Sequence, residues 1–336
     1  MKRSGKLLML LVVLAVLAVG AFAAIKLSER EEERERQAAD AATAEPETYA
    51  VADITAEDIT KISWTVDDTE LSFEKKDGEW AYEKDAAFPV NQEVLETQVE
   101  TIVGLTTAKE IQNTSDMSAF GFDKPSVTVT VNDTIDYVFG NDTNLMQGRY
   151  LQLGGKVYIV DYDLARSLSL TEADVLQYDE VPEMAYVLEY KADSEPNDFH
   201  VNIIYVLQDD EGNGTFFVKG DITRVISQDQ TNSLLNNIYI TKLRDCVNYN
   251  ASEADLEAYG LADPVMTIYM KFVNKAGETG EYTIHLGNLV EGSEDYRYAR
   301  IPGSKMVYAY DNFIYNNVLL KTYDYLEDKA QYDSGN

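Results

Sequence analysis

One segment of this chain occurs twice. Asp116–Pro125 reads DMSAFGFDKP and Asp255–Pro264 reads DLEAYGLADP, 139 residues later. Asp, Ala, Gly and Pro recur identically, while Met117/Leu256, Phe120/Tyr259 and Phe122/Leu261 exchange one apolar group for another. Further matches follow in the same order. VTVTV at 127–131 stands against VMTIYMKF at 265–272, Phe139-Gly140-Asn141 against Leu286-Gly287-Asn288, Arg149-Tyr150 against Arg297-Tyr298, and Val157–Asp161 against Val307–Asp311. The growing offset fits a longer hairpin in the second copy, where Asn274–Glu281 replaces Asn132-Asp133. Such a chain folds as two copies of one supersecondary unit.

Within each copy the recurrent residues describe a corner. Asp116 and Asp255 sit where a short helical turn starts and a carboxylate suits unpaired N–H groups. Gly121 and Gly260 fall at the position after the helix, where left-handed backbone favours glycine. An apolar residue and a proline then end the helix and start a strand. Upstream, Ile59–Val66 alternates, Leu71–Lys75 and Glu79–Glu83 flank a Lys76-Asp77-Gly78 turn, and Asn91 caps a helix bearing Val94, Leu95, Val99, Ile102 and Val103 that ends near Gly104. The second copy offers Tyr186–Tyr190, Phe199–Leu207, a Gly212-Asn213-Gly214 turn, Phe216–Val218 and a helix with Leu234, Leu235 and Ile238. The expected class is α+β: an N-terminal transmembrane helix, then two tandem repeats of antiparallel sheet with interspersed helices. Hairpin-joined strands argue against a doubly wound nucleotide fold. The expected organisation is a basic segment and membrane anchor at 1–27, a charged stalk at 28–50, repeats at 51–180 and 181–328, and a disordered tail at 329–336.

Leu7–Ile25 is uncharged over 19 residues, enough helix to span roughly 30 Å of hydrocarbon. Lys2, Arg3 and Lys6 precede it and Glu29, Glu31, Glu32 and Glu33 follow, so the body is expected outside the cytoplasm of a single-pass cell-membrane protein. Ala21-Phe22-Ala23 resembles a signal-peptidase site, but the apolar run exceeds a usual signal core. No Cys follows the run to carry a lipid. The stalk pairs Glu with Arg at helical spacing before an Ala-rich linker.

Of 336 residues, 59 are acidic and 28 basic, a net charge of −31. A body this acidic repels phosphate, which excludes nucleic-acid binding. His200, His285 and Cys246 are the only residues of their types, which removes disulfide scaffolds, thiolate zinc sites and most His-centred catalysis. Neither His has an Asp or Ser partner identifiable from the sequence, and Cys246 reads as a small buried hydrophobe. Asp209–Gly214 spaces oxygen ligands like a calcium loop, but Gly220 stands where a bidentate Glu is required, so a hairpin turn is expected. Asp161/Asp163 and Asp174 with Asp179-Glu180 are acid pairs of the kind glycoside hydrolysis uses; among 59 acids they read as solvated surface. Trp64, Trp80 and Tyr82 could stack on a sugar ring, and as alternating strand aromatics they read as core. No residue qualifies as catalytic, cofactor-binding or metal-ligating.

The order of Trp80 after a Gly78 turn, a helix, Phe120-Gly121-Phe122 with Pro125, a strand pair, Gly140, Arg149-Tyr150 and Val157-Tyr158 resembles a bacterial family catalogued as domain of unknown function 4340. The resemblance covers roughly Ile59–Leu170, and in the second copy Asp255 to Leu319. It implies a membrane- or lipid-anchored extracytoplasmic protein whose relatives are often encoded beside an ABC-transporter ATPase, a permease and a gliding-motility-type auxiliary subunit. It carries over no catalytic residues. The expected function is therefore a non-enzymatic accessory protein that docks with an ABC-type permease or auxiliary subunit. A cell-envelope glycan- or peptide-binding module is the alternative, and a hydrolase using an acid pair stands behind both.

Overall fold

The computed structural model describes residues 48–327, apart from 67–68, 108, 112–116, 144–147, 210–212, 241–242 and 244. Its strands are β1 (Tyr49–Ala50), β2 (Lys61–Val66), β3 (Thr69–Lys76), β4 (Glu79–Tyr82), β5 (Thr106–Thr107), β6 (Lys109–Ile111), β7 (Val127–Val131), β8 (Ile135–Asp142), β9 (Arg149–Leu153) and β10 (Lys156–Val160) in the first half. The second half holds β11 (Tyr186–Ser194), β12 (Phe199–Leu207), β13 (Gly214–Val218), β14 (Asp221–Ile226), β15 (Cys246–Asn248), β16 (Met266–Val273), β17 (Thr279–Leu289), β18 (Tyr296–Arg300) and β19 (Val307–Asp311). The longer helices are α1 (Gln92–Val103), α2 (Gln228–Ile240) and α3 (Glu253–Ala258).

The two large sheets are wholly antiparallel and share one topology. The first runs β4-β3-β2-β7-β8-β9-β10-β6 and the second β14-β13-β12-β11-β16-β17-β18-β19-β15. In each, a meander grows from the centre to one edge, a helix crosses the sheet, and a short strand waits at the far edge for the second meander to reach it. The order is the same except that β14 extends the second sheet. That strand and the edge strands β6 and β15 are absent from the pattern read in the sequence. β6 and β15 are short, and the pairing of all three is set across the sheet rather than by local alternation.

Local chemistry explains the shared elements. The β7–β8 hairpin turns on Asn132 and Asp133 with φ of 50° and 56°, the double left-handed turn that matches strand twist. The Asn91 side chain accepts from Val94 N at the start of α1, and Gly104 ends the helix. On the inner face Ile62, Trp64, Leu71 and Phe73 are fully buried, and the Trp64 indole donates to the Leu170 carbonyl at 2.6 Å. Burial of each such side chain contributes about 1.5–3 kcal/mol.

The repeated corner is a lock. Gly121 and Gly260 hold φ of 80° and 68°. Asn141 and Asn288 lie against them where a Cβ would stand, within 2.4 and 2.7 Å. Gly140 and Gly287 in turn lie under the carbonyls of Phe120 and Tyr259, 2.1 and 2.2 Å from a hypothetical Cβ. Asn288 N donates to that Tyr259 carbonyl at 2.8 Å. Phe120 meets Tyr150 edge-on at 4.9 Å, and Tyr259 stacks on Tyr298 at 4.2 Å. Arg149 donates to Asp142 (2.7 Å) and Ser126 (2.9 Å), as Arg297 does to Asn312 (2.7 Å) and the Gly287 carbonyl (2.9 Å). Gly121/Gly260, Gly140/Gly287, Asn141/Asn288, Phe120/Tyr259, Arg149/Arg297 and Tyr150/Tyr298 are thus used by the corner itself. Asp255 caps its helix in partnership with Ser252, each bonding the other's backbone N–H; Asp116 lies outside the described residues.

The halves share one hydrophobic core. A line of rings, Trp64, Phe73, Tyr82, Phe88 and Tyr249, runs from the first sheet into the second half with centroids 5.4, 5.0, 5.1 and 5.2 Å apart. At its end Tyr249 Oη donates to Asp85 at 2.5 Å. Asp179, on the connection between the sheets, accepts from Tyr308 Oη at 2.8 Å and from Ser304 Oγ at 2.9 Å. The expected membrane anchor and the tail lie outside the described residues. Among the described residues no helix is long and apolar enough to cross a membrane.

Candidate functional site

The acids weighed as catalysts serve local structure. Asp161 accepts from Asp163 N at 2.9 Å, and Asp163 lies 3.9 Å from exposed Arg166. Asp174 closes a capping box with Thr171, Asp179 is held by Tyr308 and Ser304, and Glu180 is exposed. In the calcium-like loop, Asp209 accepts from the main chain and side chain of Asn213 (3.0 and 2.8 Å), as a turn requires. Asp210, Glu211 and Gly212 lie outside the described residues. Among the described residues no His, Cys, Asp and Glu cluster forms a metal cage.

The histidines part company. His200 does have an acidic partner, contrary to the sequence reading: its Nδ1 lies 3.1 Å from Asp193 across the β11–β12 ladder. Burial works against the Asp193 charge, but hydrogen bonds from Lys191 and His200 hold its carboxyl below the usual value. The pair needs the register of two strands to be seen, since seven residues separate the partners. His285 is half-buried on β17, its Nδ1 without a partner; burial, then the Arg300 charge, lower its pKa. Trp64, Trp80 and Tyr82 are core residues. Cys246 is half-buried, and burial pushes its thiol up, away from the reactive thiolate.

Two concavities stand out among the described residues. A wide cleft of about 730 Å³ runs between the halves past Asp85, Glu172, Asp245 and Tyr249. Its inner groups are committed to each other: the bond to Asp85 raises the Tyr249 hydroxyl to about 12 and lowers the Asp85 carboxyl. The second is a cavity of about 490 Å³ between α2 and the inner face of the second sheet. Tyr205, Phe216, Met270 and Tyr282 form its floor, and Met184 on the incoming connection and Tyr186 at the start of β11 form a wall. Gln228, Asn232 and Asn236 stand at its mouth. Their spacing of four places the three carboxamides on one face of α2, and none bonds a described residue. Tyr282 is 8% exposed, and its hydroxyl has no hydrogen-bond partner. Burial raises the pKa of that hydroxyl, so it stays protonated.

No Asp, Glu, Lys, Arg or His lines this cavity among the described residues, in a chain of net charge −31. An apolar floor with a few convergent polar groups is the usual make-up of a binding site, and its volume lies in the roughly 300–1,000 Å³ range of such sites. The polar groups it offers are tyrosine hydroxyls and carboxamides, which hydrogen-bond uncharged partners. The sequence carried no sign of it, because amides on a helix follow no motif.

A family model described as domain of unknown function (DUF4340) matches residues 80–182 and 225–332, more than half of the chain. Each matched segment takes in the crossing helix, the corner and the second meander of one repeat. The second begins before α2, upstream of the expected start at Asp255. No curated protein and no solved structure matches the chain.

Proposed function

The chain belongs to the family described as domain of unknown function (DUF4340), and from that membership we propose that it is a non-enzymatic, membrane-anchored accessory protein. Its two-sheet body lies outside the cytoplasm and docks with the permease or auxiliary subunit of an ABC-type transport system. The observation that carries the reading is the fate of the polar groups. Arg149, Arg297, Asp179, Asp209 and Asp174 are all committed to turns, corners and the contact between halves. Among the described residues, one feature left open to other molecules is a shaped, uncharged concavity. The anchor rests on Leu7–Ile25 and its flanking charges.

The test is affinity purification of the tagged full-length protein from its native membrane, with mass spectrometry of the co-purifying proteins. Recovery of an ATPase, a permease and an auxiliary subunit in fixed ratio is expected. Recovery of the protein alone, still membrane-bound, overturns the reading. A second reading, a module that binds envelope glycan or peptide, is favoured by the tyrosines and amides of the cavity, and predicts saturable retention on cell-wall material.

A further inference from the structure

We propose that the second repeat binds an uncharged, extended segment of a partner protein, taking a large apolar or aromatic side chain into the cavity beneath α2 while Gln228 holds the segment's main chain. The inference rests on the reading of the chain as an interaction protein, and the first repeat shows how the grip is made.

Strand register aligns the two copies. Lys75 faces Trp80 as Tyr205 faces Phe216. Asn91 accepts from Val94 N at the start of α1, and Ser227 Oγ accepts from Gln230 N at the start of α2, so Gln92 corresponds to Gln228 and Glu96 to Asn232. In the first repeat these four positions close on one another. Gln92 Oε1 accepts from Trp80 N at 2.7 Å and Gln92 Nε2 donates to Trp80 O at 2.9 Å, an amide pairing with a peptide group. Glu96 accepts from the Trp80 indole at 2.9 Å and pairs with Lys75 at 2.8 Å. That arrangement exists because β4 is an edge strand whose main chain needs a partner.

In the second repeat β14 takes over that task, pairing Ile226 with Phe216. The corresponding Tyr205 and Phe216 keep their ring contact at 4.6 Å, and with Gln228 and Asn232 they line the open cavity. The two cores differ in bulk: Trp64, Phe73, Tyr82 and Tyr137 of the first are matched by Ala192, Ile203, Val218 and Ile284, of which Ile284 lines the cavity. Tyr190 and Tyr282, opposite Ile62 and Ile135, make up only part of that difference. The helix therefore presents the amide that clasps a peptide group in copy one, with no peptide group of its own to clasp. A charged side chain entering here would lose water and meet no counter-charge, which restricts the guest to neutral groups. The first repeat's own guest, Trp80, sets the pattern: an aromatic side chain with its main-chain amide.

The probe is N-acetyltryptophanamide, which carries an indole and two uncharged peptide groups. It is titrated into full-length protein in detergent micelles, with the methionine methyl groups labelled for NMR. Of the 8 methionines, Met184 and Met270 line the cavity, and saturable shifts confined to these two are expected. Gln228→Ala at the exposed helix start weakens binding about tenfold, from loss of two hydrogen bonds. Ile284→Tyr, which restores the bulk of Tyr137, abolishes it with the remaining methyl spectrum unchanged. N-acetyltryptophan, with its carboxylate, binds at least tenfold more weakly. Absence of shifts at Met184 and Met270, or equal affinity in Gln228→Ala, overturns the proposal. Shifts produced by N-acetylglucosamine but not by the indole amide also overturn it and move the cavity to glycan. Shifts without co-purifying transport subunits remove the ABC assignment and leave the cavity standing; a recovered complex without shifts does the reverse.

Discussion

Gly287→Ala tests whether the recurrent residues are a structural lock. Gly287 lies on β17 beneath the corner, and an added Cβ would stand 2.2 Å from the Tyr259 carbonyl oxygen. That oxygen belongs to the backbone and already accepts from Asn288 N at 2.8 Å, so it has no cheap way to retreat. Relief requires moving the corner off the strand. Forcing one methyl into a packed contact costs about 1–3 kcal/mol, and loss of the Asn288 bond adds about 0.5–1.5 kcal/mol. The reduced freedom of the unfolded chain returns about 0.4–1 kcal/mol, leaving a net loss of about 2–3 kcal/mol. Gly277→Ala is the control: it sits in a hairpin at φ 84° with open space around it, so it meets only the left-handed backbone cost of about 1–2 kcal/mol, offset by the same unfolded-chain return. Urea unfolding followed by far-ultraviolet circular dichroism measures both. Gly140→Ala, 2.1 Å from the Phe120 carbonyl, repeats the experiment in the first copy. If Gly287→Ala and Gly140→Ala cost no more than Gly277→Ala, the corner is not a lock and its recurrence needs another explanation.

Trp64→Ala removes a ring that is 1% exposed, together with its bond to the Leu170 carbonyl; a loss of about 3–5 kcal/mol is expected in the same unfolding assay, against a smaller one for Trp64→Phe. Tyr308→Phe deprives Asp179 of a partner at the contact between halves, and costs about 1–2 kcal/mol, with faster hydrogen exchange in the connection around residue 179. Ser252→Ala removes the cap of α3 and costs about 1 kcal/mol, read as a shift of the unfolding midpoint. His285 gives a pH signature. Its folded pKa is lowered, by burial first and Arg300 second, so below the ordinary histidine value near 6.5 the unfolded state binds the proton first. Stability is unaffected above that pH and falls as pH drops from there through the folded pKa. Unfolding curves between pH 8 and 5 should lose part of this slope in His285→Gln; an unchanged slope refutes the assignment.

The duplication, the antiparallel class and the Asn91 and Gly121/Gly260 helix ends were legible in the residues, because each depends on contacts within a few positions. A left-handed residue after a helix selects glycine whatever lies around it, and an Asn-Asp turn brings its own strands together. The cross-strand pair of Asp193 and His200 was not legible, since it exists only once the register of β11 on β12 is known. Nor was the extra strand β14, whose value lies in covering the edge of β13. The cavity is the sharpest case. Gln92 and Gln228 open two equivalent helices, and nothing in their neighbourhoods marks one as a clasp and the other as the mouth of a site. That difference goes with whether an edge strand is left wanting a partner and with whether Tyr137 or the smaller Ile284 stands at the equivalent place in the sheet. Sequence determines what short-range sterics and hydrogen bonding dictate. Tertiary packing alone decides where volume is left over, because a void belongs to many distant side chains at once.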